Sequence, residues 1–389
     1  MIMAKIENIR RLSGFIHGLG KFAIKQGRKT CYGIIDANGE IVLEPRWKTV
    51  HICDRNTIIL CDSHKVLLSY PVRLDYSRKV KYFSLEQQKF LPGAPVRDRM
   101  ITVRNKKKGV EDMDGNIIIP HAYKRLEYTE DSGRFLLAQN FKGKYGLFDD
   151  AQELLPVVYD EIHCRTVGSP CAVRQGDDWF LVRKGGERVS DKRYDWLDDI
   201  SNGYVIYGKK CRDDIMRFGL MNLDEDIVIR ARYEHLMWRH GERLSCGELF
   251  YSRAIGNPAK SWQMWKYGII DCADNIVVPK IYPMPLKGGV NGCYLAAHAE
   301  HLDWKINGII DESGNEIIPF RNWGMIRCCG AYRIYDFEKL RFGLYSSSGE
   351  ELLPFEYEKM DIGDTLDYIA VCKDGEWYYI NQHGERVLL

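Results

Sequence analysis

The chain has 389 residues, of which 45% are hydrophobic and 28% charged, and its formal net charge is +2. This hydrophobic share excludes a disordered or fibrous chain, and the near balance of charge excludes binding to nucleic acid or anionic lipid through the overall field of the protein. No apolar run approaches the roughly 18 residues of a membrane-spanning helix, and we find no export signal. We therefore expect a cytoplasmic protein whose 12 cysteines are reduced and mostly buried.

A short pattern centred on one anchor residue recurs along the chain. The anchor is usually a glycine that follows Tyr or Phe, and three weaker copies carry Leu, Phe or Tyr in its place. In chain order the anchors are Gly33, Leu67, Gly109, Gly146, Phe180, Gly219, Gly268, Gly308, Gly343 and Tyr378. Successive anchors lie 34 to 49 residues apart, as 67−33 and 268−219 illustrate. Repeats of this length predict a solenoid, a propeller or another array.

The first half of each unit predicts a strand and a tight turn. Apolar residues follow the anchor, which is typical of a short β-strand. Asp, Asn or Ser lies three residues after most anchors, and glycine often follows three residues later, as Asp36 and Gly39 do after Gly33. A type I turn favours this pair, because the first side chain accepts hydrogen bonds from turn amides and glycine tolerates a left-handed exit. The recurring acidic residues therefore have a structural role.

The second half of each unit predicts further strands. An apolar segment ends at a proline, which cannot donate to a central ladder. About 14 residues after most anchors an aromatic residue recurs, at Trp47, Tyr82, Tyr123, Tyr159, Tyr194, Tyr233, Tyr282, Trp323 and Tyr357. A Met or aliphatic residue usually follows three positions later, and an alternating segment leads to the next anchor. Three or four short antiparallel strands cannot bury both of their faces, so neighbouring units must cover each other.

This pattern resembles the WG repeat, also called the KWG repeat, of bacterial proteins. The resemblance covers roughly residues 22–389 and implies an all-β repeat fold with an interaction role. It brings no catalytic residues to this sequence. The chain departs from the pattern in places: Trp precedes the anchor position only at Trp179 and Trp377, Leu67 replaces the anchor glycine, and Gln152 stands where the turn glycine is expected.

The two ends of the array favour one domain over residues 1–389. The last unit stops at "GERVLL", before its aromatic-x-x-aliphatic strand. Residues 1–21 include Ile6 and Ile9 at that three-residue spacing, so they are predicted to supply a closing strand, as in many propellers. A closed, propeller-like ring is slightly favoured over an open β-superhelix.

One stretch has the residue types of a zinc site. His51, Cys53, Cys61 and His64 lie across a predicted hairpin, where a tetrahedral site is geometrically feasible. However, Cys61 occupies the same strand position as Cys171 and Cys372. We therefore interpret the four residues as ordinary packing positions and expect neither a metal nor a cofactor.

The longest unit carries an aromatic and basic insertion. It contains Trp238, Arg239, Arg243, Phe250, Tyr251, Arg253, Trp262 and Trp265. Insertions in repeat proteins map to loops on one face, and Trp, Tyr and Arg are enriched at binding hot spots. An equally weighted interpretation is that these aromatic residues continue the strands and complete a local core.

Two functional hypotheses follow. The first is a non-enzymatic, monomeric scaffold that binds a protein, peptide or glycan through the irregular loops and the insertion. It binds neither nucleic acid nor membrane. The alternative is a ligand-sensing or enzymatic propeller with an axial site. That site requires polar residues that depart from the repeat pattern at equivalent strand ends, and the sequence contains no convergent set.

Overall fold

The computed structural model describes residues 9–53, 55–61, 80–87, 89–91, 94–96, 99–129, 135–149, 151–164, 170–253, 261–297 and 306–388. Within these ranges the chain forms strands and turns. The described residues contain no helix that is long and apolar enough to cross a membrane.

The strands are short and follow one another closely along the chain. From the N-terminus they are β1 Ile9–Leu12, β2 Leu19–Gln26, β3 Lys29–Asp36, β4 Ile41–Trp47, β5 Thr49–Ile52, β6 Thr57–Cys61, β7 Val80–Ser84, β8 Lys89–Leu91, β9 Ala94–Val96, β10 Arg99–Arg104, β11 Lys107–Asp112, β12 Ile117–Tyr123, β13 Arg125–Tyr128, β14 Phe135–Gln139, β15 Tyr145–Asp149, β16 Gln152–Tyr159, β17 Glu161–His163, β18 Cys171–Gln175 and β19 Asp178–Val182. They continue with β20 Trp196–Ser201, β21 Tyr204–Lys210, β22 Met216–Asn222, β23 Ile227–Tyr233, β24 His235–Trp238, β25 Arg243–Arg253, β26 Ser261–Asp271, β27 Ile276–Tyr282, β28 Lys287–Gly288, β29 Tyr294–Ala297, β30 Ile306–Ile310, β31 Glu316–Cys328, β32 Ala331–Asp336, β33 Arg341–Ser346, β34 Glu351–Tyr357, β35 Lys359–Asp361, β36 Ile369–Lys373, β37 Glu376–Ile380 and β38 Arg386–Val387.

These strands form successive antiparallel sheets in which chain neighbours are also sheet neighbours. The sheets are β1 to β4, β5 to β8, β9 to β12, β13 to β16, β17 to β19, β20 to β23, β24 to β27, β28 to β34, and β35 to β38. The seven-stranded sheet holds two repeat units, because the long strand β31 belongs to both. The predicted all-β tandem array is confirmed.

A close backbone approach explains the anchor glycines. In the first sheet Tyr32 pairs with Trp47, and the register shifts before Ile34 pairs with Leu43. A Cβ atom at Gly33 would lie 2.6 Å from the carbonyl oxygen of Leu43. A Cβ atom at Gly109 would likewise lie 2.7 Å from the carbonyl oxygen of Ile119. Glycine is therefore required where the fourth strand bulges against the third.

The predicted turn roles of the recurring acidic residues are confirmed. The Oδ1 atom of Asp36 accepts hydrogen bonds from the amides of Asn38 and Glu40, at 2.9 and 2.8 Å. Gly39 has φ of 80°, and its amide donates to the carbonyl of Asp36. Equivalent side-chain bonds recur at Asp112, Asn222, Asp271, Asp311, Ser346 and Asn381.

The recurring aromatic residue fills the space between successive sheets. Tyr233, which ends β23, is 1% exposed and belongs to the same cluster as Leu220 of its own sheet. Leu244 and Ile270 of the next sheet belong to this cluster as well. Burying an aromatic side chain of this size contributes about 2 kcal/mol. Each sheet is therefore covered by its neighbour, as the repeat pattern predicts.

Two compact units are distinguished by the density of contacts within them: residues 1–100 with 322–389, and residues 101–321. In the first unit, the first and last sheets pack together, since Phe22 shares a buried cluster with Ala370 and Tyr379. Strand β1 pairs with β2, and β38 pairs with β37. Ile6 lies outside the described residues, and closure of a ring stays a prediction.

The second repeat differs from its predicted alignment. Its third strand is β7, in which Tyr82 pairs with both Ile59 and Leu91. Tyr82 is therefore a strand residue within the sheet, and not the aromatic that follows a fourth strand. The predicted anchor Leu67 lies outside the described residues. The sequence alignment failed here because this unit lacks an anchor glycine.

One expectation about the cysteines is wrong. Cys164 and Cys171 form a disulfide in the unit of residues 101–321. Cys171 is buried in the cluster that also holds Val173 and Phe180. Seven residues separate the two cysteines, and nothing in their spacing distinguishes them from the other cysteines of the chain.

Candidate binding site

The residues considered for zinc are only partly described. His51 lies in β5, its Nε2 atom has no hydrogen-bond partner, and burial together with the charge of Lys21 lowers its pKa to about 4. Cys53 follows the strand, the side chain of Cys61 is not described, and His64 lies outside the described residues. Over the described ranges, no group of three or more His, Cys, Asp and Glu residues is placed to hold a metal ion.

The insertion of the longest unit lengthens a hairpin. Strands β25 and β26 each span 11 residues and pair from Arg243 with Asp271 to Arg253 with Ser261. The backbones of Tyr251 and Trp262 are therefore part of the ladder. The side chains of Phe250, Tyr251, Arg253 and Trp262 lie outside what the structure describes. For the backbone, the interpretation that the insertion continues the strands is correct.

Aromatic rings line one face of this hairpin. Trp265 stacks on Tyr267, with ring centroids 5.7 Å apart and an angle of 16° between the planes. The ring of His235 meets Tyr267 edge-on at 5.2 Å. We call Trp265, Tyr267 and His235 the aromatic strip. Its centre contacts the next sheet, because Tyr267 and Tyr294 share a buried cluster.

Basic side chains gather where β24 turns into β25. The turn is held by hydrogen bonds from the Arg239 amide to the Arg243 carbonyl, at 2.9 Å, and from the Arg243 amide to the His240 carbonyl, at 3.2 Å. Tyr294 of β29 places its ring 4.9 Å from that of His240. Glu312 lies 3.5 Å from both His240 Nε2 and Arg243 Nη2. We call these five residues the arginine cluster.

Burial perturbs two members of the arginine cluster. Burial lowers the pKa of Arg239, although the nearby phenol of Tyr294 acts in the opposite direction. Burial and the charge of Glu312 raise the pKa of Tyr294 to about 12, against the opposing effect of Arg243 and Arg239. The phenol is therefore a neutral donor at neutral pH, beside two guanidinium groups.

The arginine cluster has more hydrogen-bond donors than acceptors. The Nε atoms of Arg239 and Arg243 are buried and have no hydrogen-bond partner, and the same holds for Nδ1 of His240. Tyr294 is fully buried, yet its hydroxyl also lacks a partner. A buried polar group without a partner costs about 1 to 3 kcal/mol. The arrangement is therefore suited to a ligand that supplies acceptor atoms.

The structure places the predicted partner-binding residues at three different positions in this sheet. Arg239 and Arg243 belong to the arginine cluster at the β24–β25 turn. Trp265 belongs to the aromatic strip and pairs with Leu249, six residues further along β25 than Arg243. Trp238 instead packs against the buried cluster on the side of the preceding sheet, and its Nε1 has no partner. Tyr251, Arg253 and Trp262 are described only in their backbones.

Sequence analysis missed His240, Tyr294 and Glu312. Glu312 could have been noticed, because it directly follows the turn residue Asp311, where other units have uncharged residues such as Ala37 and Cys272. Tyr294 carries no such signal. It joins the site only because β29 packs against the preceding sheet.

A second polar group in residues 101–321 does not form a catalytic relay. His121 Nε2 lies 2.8 Å from Thr102 Oγ1 and 3.2 Å from Glu111 Oε1. Both contacts use the same ring nitrogen, so the histidine cannot pass a proton from one partner to the other. Burial acts to raise the pKa of Glu111, but hydrogen bonds from Thr102 and Arg104 outweigh it and lower the pKa.

Ionisable groups from different sheets also face one another within the unit of residues 1–100 and 322–389. Burial lowers the pKa of Lys21 in β2, against the effect of Asp361. Burial raises the pKa of Asp361 in β35, against the effects of Lys21 and Arg333. Arg333 Nη1 donates to the carbonyl of Met360 at 2.8 Å. This set is the nearest match to the polar site that the alternative hypothesis requires.

Comparison with known proteins supports the repeat assignment. The family model for the WG-containing repeat matches residues 32–51 and 342–377. Each match includes a predicted anchor glycine and a predicted recurring aromatic: Gly33 and Trp47 in the first, and Gly343 and Tyr357 in the second. No curated protein matches the chain.

Several solved structures are weakly similar. The WD40 β-propeller domain of Doa1 is 11% identical, with a TM-score of 0.30 over 64% of this chain and 89% of that one. Hsv2p of Kluyveromyces lactis is 10% identical, with a TM-score of 0.28 over 68% and 99% of the two chains. The acylaminoacyl peptidase of Pyrococcus horikoshii is 12% identical, with a TM-score of 0.32 over 96% of this chain and 52% of that one. Such values carry no information about what this chain binds. The family match confirms the predicted WG repeat at these two places in the chain.

Proposed function

We propose that this protein is a non-enzymatic binding scaffold that holds a protein or peptide partner. The repeated positions have structural tasks: anchor glycines admit a backbone carbonyl, turn carboxylates bind amides, and recurring aromatics fill the space between sheets. Partner binding is therefore assigned to residues that depart from the repeat pattern. The aromatic strip and the arginine cluster are such residues, and we place the partner on their hairpin.

The observation that carries this proposal is the set of unpartnered donors in the arginine cluster. A buried donor without an acceptor destabilises the free protein, whereas a bound partner can supply the missing acceptor. Arginine and partly exposed aromatic side chains such as Trp265 are also enriched at binding hot spots. Half-exposed Met237, at 46%, extends the apolar surface beside the cluster.

A ligand-sensing protein with a site among Lys21, Asp361 and Arg333 is the second candidate. It is favoured by one observation: these partly buried ionisable groups of β2, β35 and β32 influence one another's charge state. Nothing among the described residues combines a nucleophile with a base in a relay, so we propose binding without catalysis for either surface.

Selection of peptides from a random display library tests the scaffold proposal. The wild-type protein is expected to enrich a related set of peptides, and Trp265→Ala is expected to weaken their binding. Phe141→Ala is the matched control, because Phe141 is 57% exposed in another repeat and lies outside the proposed surface. Circular dichroism establishes that both variants are folded. Equal binding by all three proteins, or no enrichment at all, would contradict the proposal.

A further inference from the structure

We infer that the arginine cluster recognises a carboxylate group, carried by an acidic side chain or the C-terminus of a peptide partner. The inference rests on the proposed function in that the partner is a peptide, and it adds the chemistry by which that peptide is bound.

Charge balance is the first step of the argument. The cluster holds two guanidinium groups and one carboxylate, that of Glu312, whose side chain is 47% exposed. Glu312 lies 3.5 Å from Arg243, and no carboxylate in the described part of the chain forms an ion pair with Arg239. A buried charge without a counter-ion is costly, and an arriving anion relieves that cost.

The direction of the donors is the second step. Arg239 and Arg243 are joined through the backbone at 2.9 Å, so their side chains leave the same turn. The buried Tyr294 ring of the next sheet lies 4.9 Å from the ring of His240 in the same turn. Ser245, two residues beyond Arg243 on β25, is on the same face of the strand, and its buried hydroxyl also has no partner.

The presence of Glu312 decides between a carboxylate and a phosphate. Its negative charge next to His240 and Arg243 opposes a phosphate dianion more strongly than a singly charged carboxylate. A planar carboxylate also matches the fork of donors on a guanidinium group. Trp265 and His235 of the aromatic strip are partly exposed and supply apolar contacts to the rest of a peptide.

The absence of a side chain at Gly292 leaves room for the carboxylate of Glu312 beside His240. A Cβ atom at Gly292 would lie 3.2 Å from Glu312 Oε1 and 3.5 Å from His240 Nε2. Gly292 also has φ of 81°, which disfavours other residues there. The carboxylate of Glu312 is therefore half exposed at the rim of the cluster, where a side chain at position 292 would crowd it.

The test uses the full-length protein and the peptides that the display selection enriches. The enriched peptides are expected to contain a shared Asp, Glu or free C-terminus. Replacing that group by its amide should weaken binding about ten- to hundredfold, the usual range for a hydrogen bond to a charged group. Arg239→Gln and Arg243→Gln should each weaken binding of the acidic peptide by a similar factor. Neither substitution should change binding of the amide peptide. Arg230→Gln, at an exposed position of β23, is the matched control and should have no effect.

Two results separate this inference from the scaffold proposal. Enriched peptides that bind equally well as acids and amides would leave the scaffold in place and overturn the carboxylate inference. Stronger competition by inorganic phosphate than by acetate would also overturn it, in favour of a phosphate ligand. Arg239→Gln is expected to keep or raise the melting temperature while it loses acidic-peptide binding. A lower melting temperature with unchanged binding would assign Arg239 a purely structural role.

Discussion

The hydroxyl of Tyr233 donates a hydrogen bond of 2.6 Å to Oδ1 of Asp274, 41 residues further along the chain. Tyr233 ends the fourth strand of one sheet, and Asp274 lies in the turn of the next sheet. Oδ2 of Asp274 also pairs with Arg232 at 2.6 Å. Burial and the carboxylate of Asp274 raise the pKa of Tyr233. The bond thus joins two successive repeats through a neutral phenol.

Asp274 makes this contact from a strained backbone. It occupies the turn position that glycine holds in other units, and its φ is 69°. Asp274→Ala removes the carboxylate and retains the strain, so we expect it to lower the free energy of unfolding by about 1 to 2 kcal/mol. Asp274→Gly should recover about 1 kcal/mol of that loss, because glycine adopts positive φ freely. Denaturant unfolding measures the free energy of unfolding of both variants. Equal stability of the Ala and Gly variants would refute the role of backbone strain.

Glu225 supports the same interpretation in the preceding unit. It too replaces the turn glycine, with φ of 63°, and it is 3% exposed. Its carboxylate accepts a hydrogen bond from Ser190, and its carbonyl accepts one from Lys192 at 2.9 Å. Acidic residues at this turn position therefore coincide with bonds to the preceding repeat.

The anchor glycines predict a sharp contrast between two alanine variants. A Cβ atom at Gly268 would lie 2.5 Å from the carbonyl oxygen of Val278, and nothing lies within 4 Å of a Cβ atom at Gly288. Gly268→Ala forces the third and fourth strands apart and should cost about 2 to 3 kcal/mol of unfolding free energy. Gly288→Ala should change the stability by less than about 0.5 kcal/mol. Thermal melting of both variants checks the difference, and a Gly268→Ala protein as stable as Gly288→Ala would contradict the packing argument.

Sequence reasoning succeeded where a residue's task is set by its own repeat. Asp36 and Gly33 act within one sheet, so spacing alone identified the turn and marked the anchor. It failed where the task depends on neighbouring sheets. Nothing in the spacing of Tyr294 or Glu312 indicates that they meet Arg243, because that meeting requires one sheet to pack on the next. The arginine cluster was therefore only partly predictable.

The turn carboxylates predict a pH dependence of stability. A hydrogen bond from the Asn315 side chain lowers the pKa of Asp311 in the folded protein; burial opposes it, and backbone hydrogen bonds add to the lowering. A carboxyl with a lowered folded pKa contributes stability above its unfolded pKa, about 3.9 for Asp, and loses it as the pH falls through the folded value. We expect the melting temperature to fall below about pH 4.

Asp311→Asn separates this effect from general acid denaturation. Asparagine occupies the equivalent position at Asn222 and Asn381, where Oδ1 accepts the same turn amides. The variant should therefore retain the turn and lose part of the acid sensitivity. Melting temperatures of both proteins between pH 7 and pH 2.5 provide the comparison. Parallel pH profiles would show that Asp311 does not contribute.

The first and last sheets of the unit formed by residues 1–100 and 322–389 are joined by one buried hydroxyl. Tyr379 is fully buried and donates to the carbonyl of Ser13 at 2.9 Å. The amide of Asp364 donates to the carbonyl of Phe15 nearby, at 2.7 Å. Tyr379→Phe keeps the ring but leaves the Ser13 carbonyl without this donor, so it should cost about 1 to 2 kcal/mol.

Hydrogen exchange shows which strands lose stability in Tyr379→Phe. In Tyr379→Phe the amides of β1 and β2 should exchange faster, because Ser13 is also bonded to Lys21 of β2. The Ser13 amide donates to the Lys21 carbonyl, and the Ser13 hydroxyl accepts from the Lys21 amide. Tyr378→Phe is the control, since the Tyr378 ring is partly exposed and contacts Arg386 at 4.5 Å. In Tyr378→Phe the amides of β1 and β2 should exchange at the wild-type rate. Equal acceleration in both variants would mean that the Tyr379 hydroxyl does not hold the first sheet against the last, and that apolar packing of Phe22 and Ala370 carries the contact alone.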